Sequence, residues 1–182
     1  PPRCRRGIRG VGTGRGAGGD RVVSEAAAVA GIAVEPELVR LDVEAATAAD
    51  AIRAVGAAMV AGGYVEERYV AAAVEREATF PTGLPTLPEA IALPHADPAG
   101  VLHPAIAVGR LRHPVDFVEM ATEGHRLPVR LVLLLALQSK DQAAVLGALV
   151  RGFQEGELLG RLTSSSSATE IADAIRGVVG AA

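Results

Sequence analysis

His95 is the residue in this sequence best placed to carry a chemical group. It follows Ile91-Ala92-Leu93-Pro94 and precedes Ala96-Asp97. The apolar run reads as a short buried strand that ends at the proline. Pro94 fixes its own φ and pushes Leu93 to an extended conformation, so the imidazole leaves the strand end in a defined direction. A neutral imidazole is a good nucleophile near neutral pH and suits the transfer of a group. A surface histidine in a turn is the other reading of the same residues. His103, His113 and His125 lie apart in polar or proline-flanked sequence. No pair has the His-x-x-x-His spacing of a helical metal site. Cys4 is the single cysteine, so Cys-x-x-Cys zinc sites and internal disulfides are excluded. Neither a metal nor a cofactor is indicated.

Arg76 stands in Val74-Glu75-Arg76-Glu77, just before Phe80-Pro81-Thr82-Gly83-Leu84. A guanidinium at a helix end beside a loop can hold a phosphoryl group through two parallel bonds. A solvated arginine paired with Glu75 or Glu77 is the plainer alternative. Gln142 stands near the start of a helix, where the first turn favours an anion; it also reads as an ordinary helix-surface glutamine. Gly14-x-Gly16-x-x-Gly19 matches the dinucleotide fingerprint in spacing, but it follows no strand and opens no helix. It reads as tail composition. No Gly-x-Ser-x-Gly elbow and no Walker loop occur.

These residues need elements to position them. Glu37 to Val43 reads as a first strand. Thr47 and Asp50 form a cap opening a helix whose Ile52, Val55, Met59 and Val60 recur at helical spacing, and Gly62-Gly63 stops it. A second helix runs from Glu66 to Ala78 with Tyr69, Ala72, Ala73 and Val74 inward. A loop from Phe80 to Ala90 leads to the strand Ile91 to Leu93. Ala105 to Leu111 is a further strand, Val115 to Val118 a short edge strand, and Val129 to Leu137 a central buried one. Asp141 to Gln154 and Glu157 to Leu162 read as helices. Ser167 and Glu170 cap a last one. Helices, then strands, then helices imply an α/β fold with a mixed β-sheet flanked by helices in a single domain. Residues 1–36 read as a flexible Gly/Arg/Ala-rich tail, with a briefly helical Ala-rich stretch, and residues 37–182 as the domain.

Of the 182 residues, 49% are hydrophobic and 21% charged, the balance of a globular protein. Aromatics are 3% with no Trp. The core is therefore aliphatic, and a base-stacking surface for nucleic acid is not expected. A net charge of −3 argues against a polyanion binder. The longest strongly apolar run, Leu131 to Leu137, is far short of the ~20 residues a spanning helix needs, so direct membrane insertion is not expected. The arginines of the first residues accompany no apolar stretch, unlike a secretory signal. A cytoplasmic location is expected.

Taken in order, Glu75-Arg76-Glu77, Phe80-Pro81-Thr82-Gly83-Leu84, Ile91-Ala92-Leu93-Pro94-His95, Val115-Asp116-Phe117, the apolar strand and Asp141-Gln142 are more specific than any one of them. Together they resemble the enzyme IIA components of the phosphoenolpyruvate-dependent sugar phosphotransferase system, of the fructose/mannitol type and its galactitol-like branch. The likeness spans about residues 37–182, and the N-terminal segment has no counterpart in it. It implies a mannitol/fructose enzyme IIA-like fold. It also implies that His95 receives a phosphoryl group from the phosphocarrier HPr and passes it to a cysteine of a separate enzyme IIB, which serves the membrane enzyme IIC. It maps a phosphoryl-holding arginine to Arg76, and a second histidine of the mannitol type to Gln142, a departure that the galactitol-like branch often shares. Thr82, the Gly83 amide and the start of the 141–154 helix are then candidates to cradle phosphoryl oxygens beside Arg76 and Gln142. One ring nitrogen of His95 should attack while a carbonyl or carboxylate holds the other; Asp97 is near in sequence. The alternative from the same likeness is a regulatory module that binds a partner according to its phosphorylation state.

Overall fold

Helix caps set the frame of the molecule, which is seen in a computed structural model describing residues 31–180. Thr47 accepts the Asp50 N–H at 3.1 Å and opens helix α1, Ala48–Ala61. Ser167 accepts the Glu170 N–H at 3.3 Å and opens helix α5, Ala168–Val179. In each case a side-chain oxygen satisfies an amide that the first turn leaves without a partner. Helix α2 is Glu67–Thr79, α3 is Ser139–Gln154 and α4 is Glu157–Ser164.

The strands are β1 (Val39–Val43), β2 (Gly83–Leu84), β3 (Ala90–Ala92), β4 (Ala105–Val118) and β5 (Arg126–Ala136). They form one sheet in the order β1-β4-β5-β3-β2. β1 runs parallel to β4 and β3 parallel to β5, while β4–β5 and β2–β3 are antiparallel. This is the expected mixed sheet, with the most apolar segment at its centre. Alternation splits the core. Val132, Leu134 and Ala136 join Ile52, Val55, Met59, Tyr69 and Ala73 of α1 and α2 on one face. Leu131, Leu133 and Leu135 join Val145, Leu149, Phe153, Leu159, Ile171 and Ile175 of α3 to α5 on the other. A strand buried on both faces has no polar positions to offer, which is why this segment reads as a continuous apolar run. Among the described residues no helix is long and apolar enough to cross a membrane.

Four expectations change. Gly83–Leu84, inside the expected loop from Phe80 to Ala90, is strand β2, paired with β3. Pro36–Leu38 forms a 3-10 turn, so the first strand starts at Val39 rather than Glu37. Val115 to Val118 is not an edge strand: it is the far half of β4, paired with Arg126 to Val129 of β5. The register shifts between Arg110 and Val115, and Pro114, which has no amide to give, falls in that irregular stretch. The chain also packs before Glu37. Ala33 bridges to Ala105, donating to the Pro104 carbonyl and accepting from Ile106, both at 2.9 Å. Val34 is 1% exposed, and its carbonyl accepts from Arg176. Cys4, the Gly14-x-Gly16-x-x-Gly19 stretch and most of the expected tail lie outside the described residues.

Parallel pairing positions the site. β3 and β5 point the same way, so the residues after β3 and the start of α3 after β5 meet at one end of the sheet. His95 itself forms a parallel bridge to Leu135, and the Leu135 N–H donates to the Pro94 carbonyl at 3.0 Å. In α/β sheets the space beyond the carboxyl ends of the strands is where ligands bind.

Candidate functional site

The His95 ring is half-buried at the sheet end, with Nδ1 2.8 Å from the Leu93 carbonyl oxygen. A carbonyl can only accept, so the contact places the hydrogen on Nδ1 and leaves the lone pair on Nε2. The carbonyl of Leu93, not Asp97, therefore fixes the tautomer. Burial pushes the His95 pKa below the ordinary histidine value; the Leu93 bond opposes this, the Arg76 charge adds to it, and the Asp97 charge opposes it. The ring is thus neutral, and its free nitrogen unprotonated, near neutral pH.

The backbone on either side of the ring is tied down. Pro94 is held by Leu135. The Tyr69 hydroxyl donates to the Leu135 carbonyl and accepts the Ala96 N–H at 3.3 Å. Gln142 Nε2 donates to the Ala96 carbonyl at 3.2 Å. Tyr69 is fully buried, and burial pushes its pKa up to about 12 against smaller lowering effects from the Ala96 bond and Arg76. It is therefore a neutral hydroxyl with a fixed donor and acceptor. Sequence reasoning assigned Tyr69 only an inward position. The signal for more was its place two turns before Arg76, on the same face of α2.

Arg76 stands in the last turn of α2. Among the described residues it forms no ion pair, so pairing with Glu75 or Glu77 is not what occupies it. Its guanidinium carbon lies 5.5 Å from the centre of the Phe80 ring. Glu77 instead turns to the loop: its carboxylate accepts the Thr82 N–H at 2.9 Å and the Thr82 hydroxyl at 2.7 Å. Glu77 is 8% exposed and Thr82 2%. Burial raises the Glu77 pKa, and the Thr82 bonds and Arg76 restrain the rise.

This arrangement brings together His95, Arg76 and Gln142, but gives Thr82 and Gly83 a different place. Both Thr82 donors are taken by Glu77. Gly83 pairs with Ala92, and its carbonyl accepts from Met120 at 2.8 Å. A Cβ on Gly83 would stand 2.6 Å from the Val118 carbonyl oxygen, so this residue is glycine because β4 passes so close. The loop serves to seat the sheet edge. A cavity of about 630 Å³ opens between α1, α2 and the far half of β4, yet neither His95 nor Arg76 lines it. His95 itself is half-buried, partly open to solvent. His125 pairs with Glu119 away from His95. Among the described residues no group of three or more His, Cys, Asp or Glu could hold a metal ion.

Residues 33–177 match the family described as "Phosphoenolpyruvate-dependent sugar phosphotransferase system, EIIA 2". The mannitol-specific phosphotransferase enzyme IIA component of Halalkalibacterium halodurans is 31% identical over 138 residues, covering 74% of this chain and 88% of that protein. The mannitol-specific EIICBA component of Escherichia coli K12 is 31% identical over 137 residues, covering 74% of this chain; the chain spans 20% of that longer protein. The solved complex of mannitol enzyme IIA with phosphorylated mannitol enzyme IIB from Escherichia coli matches with a TM-score of 0.64 and 29% identity, covering 80% of this chain and 99% of that one. The chain belongs to the enzyme IIA family of the sugar phosphotransferase system, of the mannitol/galactitol type.

Proposed function

We propose that the chain is a phosphohistidine carrier in which His95 accepts a phosphoryl group from HPr and passes it to a cysteine of a separate enzyme IIB chain, upstream of a membrane enzyme IIC. The observation that carries this reading is the 2.8 Å contact of Nδ1 with the Leu93 carbonyl. It leaves one unprotonated nitrogen, Nε2, aimed away from the strand. In the first step Nε2 attacks phosphorus as the donor's P–N bond breaks, and the proton stays on Nδ1, donated to the Leu93 carbonyl. In the second step a thiolate of enzyme IIB attacks, and the Nε2–P bond breaks. Neither step moves a proton within the carrier. The protein supplies position and charge, which is what phosphoryl transfer mainly needs.

Arg76 supplies the charge. Among the described residues it forms no ion pair, and its charge acts on His95. With Thr82 and Gly83 committed elsewhere, the phosphoryl oxygens fall to Arg76 and to the Ser139 and Lys140 amides that open α3, since the Asp141 amide already donates to the Gln138 carbonyl at 2.9 Å. Gln142 holds the Ala96 carbonyl, a positioning role. The partial exposure of His95 leaves it within reach of docking proteins. The relative in the solved complex, a mannitol enzyme IIA, is seen with phosphorylated enzyme IIB, which supports enzyme IIB as the acceptor here. A galactitol-specific EIIA component of Escherichia coli is 33% identical over 88 residues, which supports a role in sugar uptake of the galactitol or fructose type.

The test is transfer from phosphoenolpyruvate through its dependent enzyme and HPr. The expected product is an acid-labile, base-stable phosphoprotein, labelled at His95 and absent in His95→Ala. A label that survives His95→Ala overturns the assignment. Failure to restore sugar phosphorylation with enzymes IIB and IIC, despite labelling, would favour the regulatory role.

A further inference from the structure

Phe80 is an exposed phenylalanine, 61% accessible, at a place where nothing about the fold demands an aromatic ring. The chain nevertheless fixes it. Its N–H donates to the Arg76 carbonyl at 2.7 Å, closing α2. Two residues on, Thr82 is locked by the Glu77 carboxylate through both its amide and its hydroxyl. The short link between these anchors leaves the Phe80 ring lying against the Arg76 guanidinium, 5.5 Å from its carbon. Of the two carboxylates that flank Arg76 in sequence, Glu77 bonds Thr82 instead, and among the described residues neither Glu75 nor Glu77 forms an ion pair with Arg76.

We infer that Phe80 is a positioning residue for phosphoryl transfer: its ring holds the Arg76 guanidinium beside His95 without occupying the hydrogen-bonding edge that a phosphoryl group needs. This rests on the proposed carrier function. The physical reason lies in the two ways an arginine can be held. A carboxylate takes the planar N–H fork and competes directly with phosphate for it. An aromatic face attracts the cation through its ring quadrupole and leaves the fork's N–H groups pointing outward. The aromatic hold is also the weaker, so an arriving phosphoryl group is not opposed. Glu77 completes the arrangement indirectly, because its commitment to Thr82 both seats Phe80 and withdraws the competing carboxylate.

The test separates this from a role of Phe80 as a greasy contact for partner proteins. Three variants are compared with the wild type: Phe80→Leu keeps an apolar side chain without a π face, Phe80→Trp keeps the face, and Phe80→Ala removes both. The first readout is the lifetime of isolated phosphorylated protein, with no partner present. The second is the NMR titration of His95, whose charged and titratable neighbours are Arg76 and Tyr69 on α2 and Asp97 in its own loop. We expect Phe80→Leu and Phe80→Ala to change the lifetime by about two- to fivefold, in the same direction as Arg76→Ala, and to shift the His95 midpoint upward. Phe80→Trp should track the wild type. In the double variant Phe80→Leu with Arg76→Ala, the Phe80 change should add nothing. Wild-type values in Phe80→Leu overturn the inference, as does a change confined to the KM for HPr or enzyme IIB. Circular dichroism on each variant checks that the fold is retained. If the wild-type protein takes no label at His95, the carrier reading itself fails; if it does and Phe80→Leu behaves as wild type, only the role of Phe80 fails.

Discussion

The two sides of the site are built in opposite ways. On one side, the segment from Leu93 to Ala96 is held by the Leu135 amide, the Tyr69 hydroxyl, the Gln142 amide and the ring of His95 itself. On the other, the charge of Arg76 rests on a single exposed ring. His95, the proposed nucleophile, is rigidly placed, and Arg76, the proposed stabiliser of charge, is loosely held. A nucleophile gains from a fixed attack geometry. A clamp that must close on a tetrahedral anion and then release it to a second protein gains from weak restraint.

Breaking the rigid side should have the largest effect. Tyr69→Ala empties a fully buried site and should cost about 3–5 kcal/mol of stability by chemical denaturation. Tyr69→Phe keeps the ring but strands the buried Ala96 N–H and Leu135 carbonyl, at about 1–3 kcal/mol, and should slow transfer as well. If Tyr69→Phe matches the wild type in both, the segment is not held as described. On the loose side, Arg76→Ala should leave stability within about 0.5 kcal/mol yet slow transfer about a hundredfold. Arg76→Lys should recover only part of it, since a point charge lacks the planar fork. Equal losses of stability and rate in Arg76→Ala would erase the contrast between the two sides. Gln142→Ala lies between them: one half-buried bond to Ala96 is lost, costing about 0.5–1.5 kcal/mol, with a severalfold loss of transfer measured at fixed HPr.

The smallest effect is on pH dependence. The folded-state pKa of His95 lies below the ordinary 6.5, so below that value the unfolded chain binds more protons than the native one. Its contribution to stability is complete above pH 6.5 and is lost as the pH falls from there through the folded pKa. His95→Asn should flatten this part of the stability profile. The acid limb of phosphorylation should have its midpoint below 6.5, and Arg76→Ala should move it upward.

How much of this was legible in the sequence follows the range of each interaction. Thr47 with Asp50 and Ser167 with Glu170 act within one helical turn, and both caps are where their spacing puts them. The Pro94-His95 strand end is equally local. Tyr69 was read as inward but not as a tie, because its partners Ala96 and Leu135 stand 27 and 66 residues away and nothing in the helix itself points to them. Thr82 and Gly83 are phosphoryl-donor candidates only through the family likeness of the Phe80–Leu84 segment. The buried Glu77, on the preceding helix, takes both Thr82 donors, and a passing strand explains the glycine. Ala105 to Leu111 and Val115 to Val118 read as two strands in the sequence, yet pairing with β5 carries one strand through Pro114, since cross-strand contacts outweigh one missing donor at an irregularity.

The Nδ1 hydrogen of His95 points into a backbone carbonyl and never faces the visitor. If the chain is the carrier proposed above, it has a single handle: whatever docks, from either side of the relay, must address the same nitrogen along the same line. Traffic in the two directions would then be mechanically identical, and which way it runs would be decided by the neighbours' phosphorylation levels rather than by any change of shape in the carrier.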